Sequence, residues 1–355
     1  MSDQDDIPFY EKPEWADIVP IPQDDGPNPL VPIAYTKEYS TTMDYFRAIC
    51  RTQEQSERAL DLTKIVIELS PSHYTVWHYR QTLLKALNKD LSSELDWIQY
   101  MIDENPKSYQ IWHHRQVIVD HISAALLPAD VPTSSTFSTL TTASGGIPYN
   151  ALSEQQKEAA REAVKVELAF IAAALEEDSK NYHAWSYRQW VLSHFGPGPW
   201  WAEELEYIDK LLETDIRNNS AWNQRFYAFT QGPLGLSQEN VEKEIKYTKT
   251  KIERTPSNES PWVYLGGVLR KANHPMSEIK EFCESLLPMP RANFSPYLHS
   301  TLLEIYEEEA KARRTIESVT KAKEAAVMLA EKVDPIRAKY WNWRKGQLNN
   351  ISVEA

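Results

Sequence analysis

One block recurs six times along the 355-residue chain, and its spacing restricts the fold more tightly than any composition could. Each copy has a polar residue, often followed by proline, then tryptophan a few positions on, and in most copies arginine three residues after that. The copies run Ser70-Pro71 to Trp77-His78-Tyr79-Arg80, Asn105-Pro106 to Trp112-His113-His114-Arg115, and Asp178-Ser179 to Trp185-Ser186-Tyr187-Arg188. They continue as Asn218-Asn219 to Trp222-Asn223-Gln224-Arg225, Thr255-Pro256 to Trp262-Val263-Tyr264-Leu265, and Asp334-Pro335 to Trp341-Asn342-Trp343-Arg344. The tryptophans are separated by 35, 73, 37, 40 and 79 residues, so two of the steps are double. A period of about 34 to 40 residues is the length of one helical hairpin with its turns.

The chain is therefore expected to be all-α, a right-handed α-α superhelix of hairpins in which no hairpin buries its apolar face alone. The Ser, Asn, Thr or Asp before proline reads as an N-cap with proline at the first helical position. Tryptophan and arginine at i and i+3 lie on adjoining parts of that helix, so the indole can fill the groove between hairpins while the guanidinium covers it or meets a carboxylate. Amphipathic second helices are expected over Leu91 to Ile102, Glu203 to Leu212 and Val241 to Ile252. The 73-residue step holds a Thr/Ser-rich stretch, and residues 128–150 read as a low-complexity loop insertion. The 79-residue step is expected to hide a degenerate copy around Asn293-Phe294-Ser295-Pro296-Tyr297-Leu298.

Residues 1–40 form a separate, proline-rich strap or tail ahead of the repeat domain, 41–350. Pro8, Pro13, Pro20, Pro22, Pro27, Pro29 and Pro32 remove backbone donors and favour extended chain. Trp15, Ile18, Val19, Ile21, Leu30 and Val31 favour docking of that segment over free solvation.

The net charge of −13 repels phosphate backbones and anionic headgroups, which argues against nucleic-acid binding. No apolar run approaches the ~20 residues that span a bilayer, so no direct membrane insertion is expected. Two cysteines, Cys50 and Cys283, make neither a disulfide framework nor a zinc cluster and point to a reducing, cytoplasmic setting. No His-Glu-x-x-His, Gly-x-Ser-x-Gly or phosphate-cradling glycine loop appears; Gly196-Pro197-Gly198-Pro199 reads as a turn, because proline removes the N–H donors such a loop supplies. What remains is a hydrophilic face beside the second block. At ~100° per residue, Lys107 and Gln110 fall about 60° apart on a common helix, and Trp112 about 140° from Lys107. A solvated surface is the plain explanation. The functional one makes Lys107 a counter-charge for phosphate and Gln110 a donor to a carboxylate.

The repeated Trp-x-x-Arg blocks resemble the α subunits of protein prenyltransferases. Asn105 to Arg115, Asn181-Tyr182-His183-Ala184-Trp185 and Asn218 to Arg225 are similar to that family nearly residue for residue, and Glu14-Trp15-Ala16-Asp17 through Asp25-Gly26-Pro27-Asn28-Pro29 resembles the strap of its farnesyl/geranylgeranyl type I branch. The resemblance implies an enzyme that works as a heterodimer. A β subunit carries zinc, with magnesium a further candidate in the complex, and this chain by itself holds no metal or cofactor. The implied reaction moves a farnesyl or geranylgeranyl group from its diphosphate to the cysteine of a C-terminal Cys-a-a-X motif, on proteins such as small GTPases. Carried over by position, Lys107 neutralises the isoprenoid diphosphate and Gln110 receives the peptide carboxylate. Tyr109 lines the region between them, and Tyr74, Tyr182 and His183 lie nearer the cavity edge. Ser108 departs from the asparagine usual there. Two other readings stand beside this one: a tetratricopeptide-like peptide-binding scaffold, whose signature places Leu-Gly rather than arginine after the tryptophan, and the α subunit of the Rab-specific enzyme.

Overall fold

The computed structural model describes residues 7–124, 147 and 149–352, and among these it is helical throughout, with no strand. It divides into two compact units, residues 1–147 with 151–194, and 148–150 with 195–355. The first holds α1 (Lys37–Thr52), α2 (Glu57–Leu69), α3 (Tyr74–Ala86), α4 (Leu91–Glu104), α5 (Tyr109–Ser123), α6 (Glu154–Glu177) and α7 (Tyr182–His194). The second holds α8 (Trp200–Thr214), α9 (Asn219–Gln231), α10 (Gln238–Arg254), α11 (Glu259–Lys271), α12 (Lys280–Leu286), α13 (Pro290–Asn293), α14 (Pro296–Arg313), α15 (Ile316–Met328) and α16 (Ala338–Gln347). Hairpins α2–α3, α4–α5 and α6–α7 build the first unit, and α8–α9, α10–α11 and α14–α15 the second. The inferred insertion, 128–150, falls for the most part outside the described residues.

Three of the four Xaa-Pro pairs act at the opposite end of the turn from the one expected, while Asp334-Pro335 does open the short helix Pro335–Arg337. Ser70, Asn105 and Thr255 close the helices before them, at φ/ψ of −148/81, −135/59 and −142/66. Proline disfavours the α region for the residue it follows, so the pair stops a helix rather than starting one. A turn follows, in which the N–H of His73, Ser108 and Asn258 bonds back to Ser70, Asn105 and Thr255. The next helix opens one residue later. The degenerate copy does match the expected cap: Ser295 caps α14 through the Leu298 N–H, and Pro296 is its first residue.

In five blocks the turn leaves a carbonyl six residues before the tryptophan, and the indole N–H takes it; in the sixth, Trp341 donates to the Asp334 carboxylate instead. Trp77, Trp112, Trp185, Trp222 and Trp262 donate to the carbonyls of Pro71, Pro106, Ser179, Ile216 and Pro256 at 2.8–3.0 Å. This satisfies the one polar atom of a side chain that is otherwise core, and it locks the turn to the helix. The degenerate copy keeps the device with another residue: His299 Nε2 bonds the Asn293 carbonyl at 2.7 Å. The same carbonyls receive the next block's cap residue. Asn181 reaches Pro106, Asn258 reaches Ile216 and Ser295 reaches Pro256, at 2.6–3.0 Å. Successive turns are thereby joined within each unit.

In three blocks the arginine pairs with a buried glutamate on the following helix instead of covering its own indole, whereas Arg344 of the last block reaches back to Glu307 on α14. Arg80 holds Glu94 through two bonds of 2.6–2.7 Å, and Arg115 holds Glu167 through two of 2.8 Å. In the second unit Arg225 holds Glu244 at 2.5 and 3.0 Å. The guanidinium faces lie on Trp97, Phe170 and Tyr247, three residues beyond each glutamate. The residue two after the next tryptophan completes each set: His114 on Glu94, Tyr187 on Glu167 and Tyr264 on Glu244, at 2.6–2.7 Å. A buried carboxylate needs this many partners to remain ionised. Burial pushes Glu94 up, but the bonds from His114 and Arg80 outweigh it and bring the group down to about 2.

Ahead of α1, the segment from Phe9 to Ile21 lies along α1 and α2. Trp15 is buried, and its ring and that of Phe9 meet Tyr45. Arg58 bonds Asp17 at 2.7 and 2.9 Å, the Ile21 N–H bonds the Asp44 carbonyl at 3.0 Å, and Arg47 bonds the Ile21 carbonyl at 2.8 Å. Beyond Pro22 the side chains turn outward, and Leu30 is fully exposed.

Candidate functional site

Three consecutive block helices of the first unit begin with tyrosine: Tyr74 opens α3, Tyr109 opens α5 and Tyr182 opens α7. Each lies three residues before its tryptophan, about 60° around the helix from the buried indole, on the part of the helix that faces outward. They are 76%, 62% and 54% exposed, so these rings lie at the surface. Tyr109 meets the His183 ring edge-on at 4.3 Å and the Tyr182 ring at 5.8 Å. The neighbouring Tyr109 hydroxyl raises the Tyr182 phenol above its ordinary range, and partial burial lowers His183, favouring a neutral imidazole.

Two hollows share Tyr109 and Gln110 as a common wall. One, of about 480 Å³, runs between α5 and α7 and is also lined by Tyr74, Tyr182 and His183. The other, of about 550 Å³, lies over the turn from Asn105 to Ser108 and includes Lys107. The structure thus gathers all six residues marked in the sequence along one edge. It corrects how they are held, however. Lys107 is not on a helix with Gln110; α5 begins at Tyr109, and Lys107 sits within the preceding turn. The 60° helical spacing drops out, and proximity through the turn replaces it.

The Lys107 side chain is 76% exposed, with Asp178 Oδ2 at 3.6 Å. The amino ends of α3, α5 and α7 present partial positive charge beside it, which favours anions along this edge. His113, Gln116 and Ser186 line the first hollow as well and went unnoticed in the sequence. Their signal was position: one or four residues after the tryptophan returns a helix to the face of the tyrosine before it. Ser108, where the sequence departs from the usual asparagine, carries a buried Oγ with no hydrogen-bond partner. Among the described residues no three His, Cys, Asp or Glu side chains converge to hold a metal ion. No helix among them is long and apolar enough to cross a membrane.

The fold is that of the alpha-subunit class of the protein prenyltransferases. The protein prenyltransferase alpha subunit repeat matches residues 56–87, 91–122, 164–195, 201–232 and 241–272, each span enclosing one block tryptophan. A farnesyltransferase/geranylgeranyltransferase type-1 subunit alpha from Solanum lycopersicum is 38% identical over 96% of this chain and 91% of its own length. Its counterpart from Dictyostelium discoideum is 34% identical over 98% and 97%. Among solved structures, Candida albicans protein geranylgeranyltransferase-I complexed with GGPP matches 95% of this chain and 99% of its own, at a TM-score of 0.75 and 28% identity. The chain belongs to the family of protein farnesyltransferase/geranylgeranyltransferase type-1 alpha subunits.

Proposed function

We propose that this chain supplies, as the α subunit of a heterodimeric farnesyl- and geranylgeranyltransferase, the cationic edge that receives the departing diphosphate. What supports the reading is Lys107, held in a turn that lines the second hollow, beside the amino ends of α3, α5 and α7. As the bond from isoprenoid C1 to the diphosphate oxygen breaks, negative charge grows on the leaving group, and the attraction of an ammonium placed there is stronger in the transition state than in the ground state. An exposed lysine in water does this poorly. A β subunit covering the edge lowers the local dielectric and strengthens the same charge several-fold, which is why the subunit needs its partner. Gln110, with its amide in the wall shared by both hollows, donates to the C-terminal carboxylate of a Cys-a-a-X protein such as a small GTPase. Tyr109, Tyr74, Tyr182 and His183 shape the aperture, with His183 neutral as a hydrogen-bonding group.

Zinc on the β subunit supplies activation of the acceptor thiol; this chain's residues orient the two anionic ends of the substrates. The proposed compartment is the cytoplasm, on the two unpaired cysteines. The test is a Lys107→Ala heterodimer made by co-expression with a β subunit. Turnover is expected to fall by about 100-fold or more with assembly unchanged. Unaltered single-turnover rates would remove Lys107 from the mechanism. Pairing the chain with each type of β subunit and assaying farnesyl against geranylgeranyl transfer decides whether it serves both.

A further inference from the structure

The turn that carries Lys107 is fastened to the turn that opens α7. Asn181 Nδ2 donates to the Pro106 carbonyl at 3.0 Å, the Tyr109 and His183 rings meet, and the Lys107 ammonium lies 3.6 Å from Asp178 Oδ2. Asp178 itself is held in place at three atoms. Its N–H closes α6 onto the Ala174 carbonyl at 3.2 Å, its carbonyl receives the Asn181 N–H at 2.9 Å, and its Oδ1 receives the Lys180 N–H at 3.0 Å. One carboxylate oxygen therefore serves the local turn, and the other faces Lys107.

Ending a helix at this place does not require that charge. Ser70, Asn105 and Thr255 occupy the same place in three other blocks and end their helices equally well. Asp215 repeats the local bond, to the Arg217 N–H at 2.9 Å, and that bond needs only one acceptor oxygen. What the second oxygen of Asp178 adds is a fixed anion beside a long, flexible ammonium stem.

We infer that Asp178 is a positioning residue, a resident counter-ion that holds the Lys107 ammonium at the edge of α5 and α7 until a diphosphate displaces it. The inference rests on the reading of Lys107 given above. A single contact of this length between two exposed groups is weak and exchangeable. A diphosphate, with more charge and more acceptor oxygens than one carboxylate, wins the ammonium from it. The cost of that exchange loosens diphosphate binding slightly and favours its release after transfer.

The test uses the heterodimer, inorganic pyrophosphate as the probe, and Asp178→Asn, which keeps the acceptor oxygen for the Lys180 N–H. Pyrophosphate should inhibit Asp178→Asn about 3-fold more tightly than wild type at low salt, with kcat at saturating substrates held within about 2-fold. The gain should shrink at high salt, should be absent from Asp178→Glu, and should vanish in a Lys107→Ala background. Unchanged or weaker inhibition in Asp178→Asn overturns the inference, as does a gain that survives without Lys107, because the carboxylate then acts by its general field. If Lys107→Ala alone alters neither turnover nor pyrophosphate inhibition, the reading of Lys107 itself falls and takes this one with it.

Discussion

Two cation–carboxylate pairs in the first unit use the same chemistry to opposite ends. Arg80 and Glu94 are buried, joined by two bonds of 2.6–2.7 Å, and closed off by His114. Lys107 and Asp178 face solvent at 3.6 Å through one contact. The planar guanidinium fixes geometry in the interior, where an unpaired charge is costly; the ammonium at the edge is a mobile point charge that another anion can claim. Burial separates a structural ion pair from a functional one, and the residue types follow that division.

Breaking the interior pair should have the largest effect on the fold. Arg80→Ala leaves Glu94 with His114 alone and should cost about 3–5 kcal/mol, read as a lowered urea midpoint. Lys107→Ala should change the stability read from that midpoint by no more than about 0.5 kcal/mol. Equal losses from the two variants would erase the contrast.

A smaller effect tests the third member of the interior set. Burial lowers the pKa of His114 below its ordinary value of 6.5. A histidine whose folded pKa is depressed stabilises the fold above the unfolded pKa; as pH falls through about 6.5 the unfolded chain takes up the proton first, and stability is lost. His114→Gln puts in that place the residue type that Gln224 supplies to Glu204 at 2.7 Å. It should flatten the decline in urea midpoint between about pH 7 and 5 while leaving the neutral-pH value nearly unchanged. A decline as steep as wild type would show that His114 does not titrate in this range.

The smallest effect lies beside the functional edge. Ser108 holds the place from which Asn181 and Asn258 reach the preceding block, but its hydroxyl has no partner. Ser108→Asn should reach the Pro71 carbonyl in the manner of the other two and raise stability by about 0.5–1 kcal/mol, seen as a higher melting temperature. A lowered melting temperature would mean that the turn there differs from its two counterparts.

Much of this was open to reading from residue order. Blocks spaced by hairpin lengths announced the helices, and the stretches Leu91 to Ile102, Glu203 to Leu212 and Val241 to Ile252 lie within α4, α8 and α10. All six edge residues were legible through the family resemblance. Their support was not. Proline looked like a helix opener, yet by restricting the residue before it, it closes the previous helix and leaves Lys107 in a turn. Glu94, Glu167 and Glu244 could not be singled out among 51 acidic residues, because their partners lie 14, 52 and 19 positions away.

Periodicity by itself determined that this protein is a stack of helical hairpins, since only that arrangement buries a tryptophan at every such interval. Tertiary structure alone decided which glutamate each arginine would hold, that His299 stands in for a missing tryptophan, and that a lysine and an aspartate from turns 71 positions apart would meet. The physical reason is range: helix propensity and turn chemistry act over a few neighbouring residues, whereas charge pairing and burial depend on distances that exist only once the hairpins have packed.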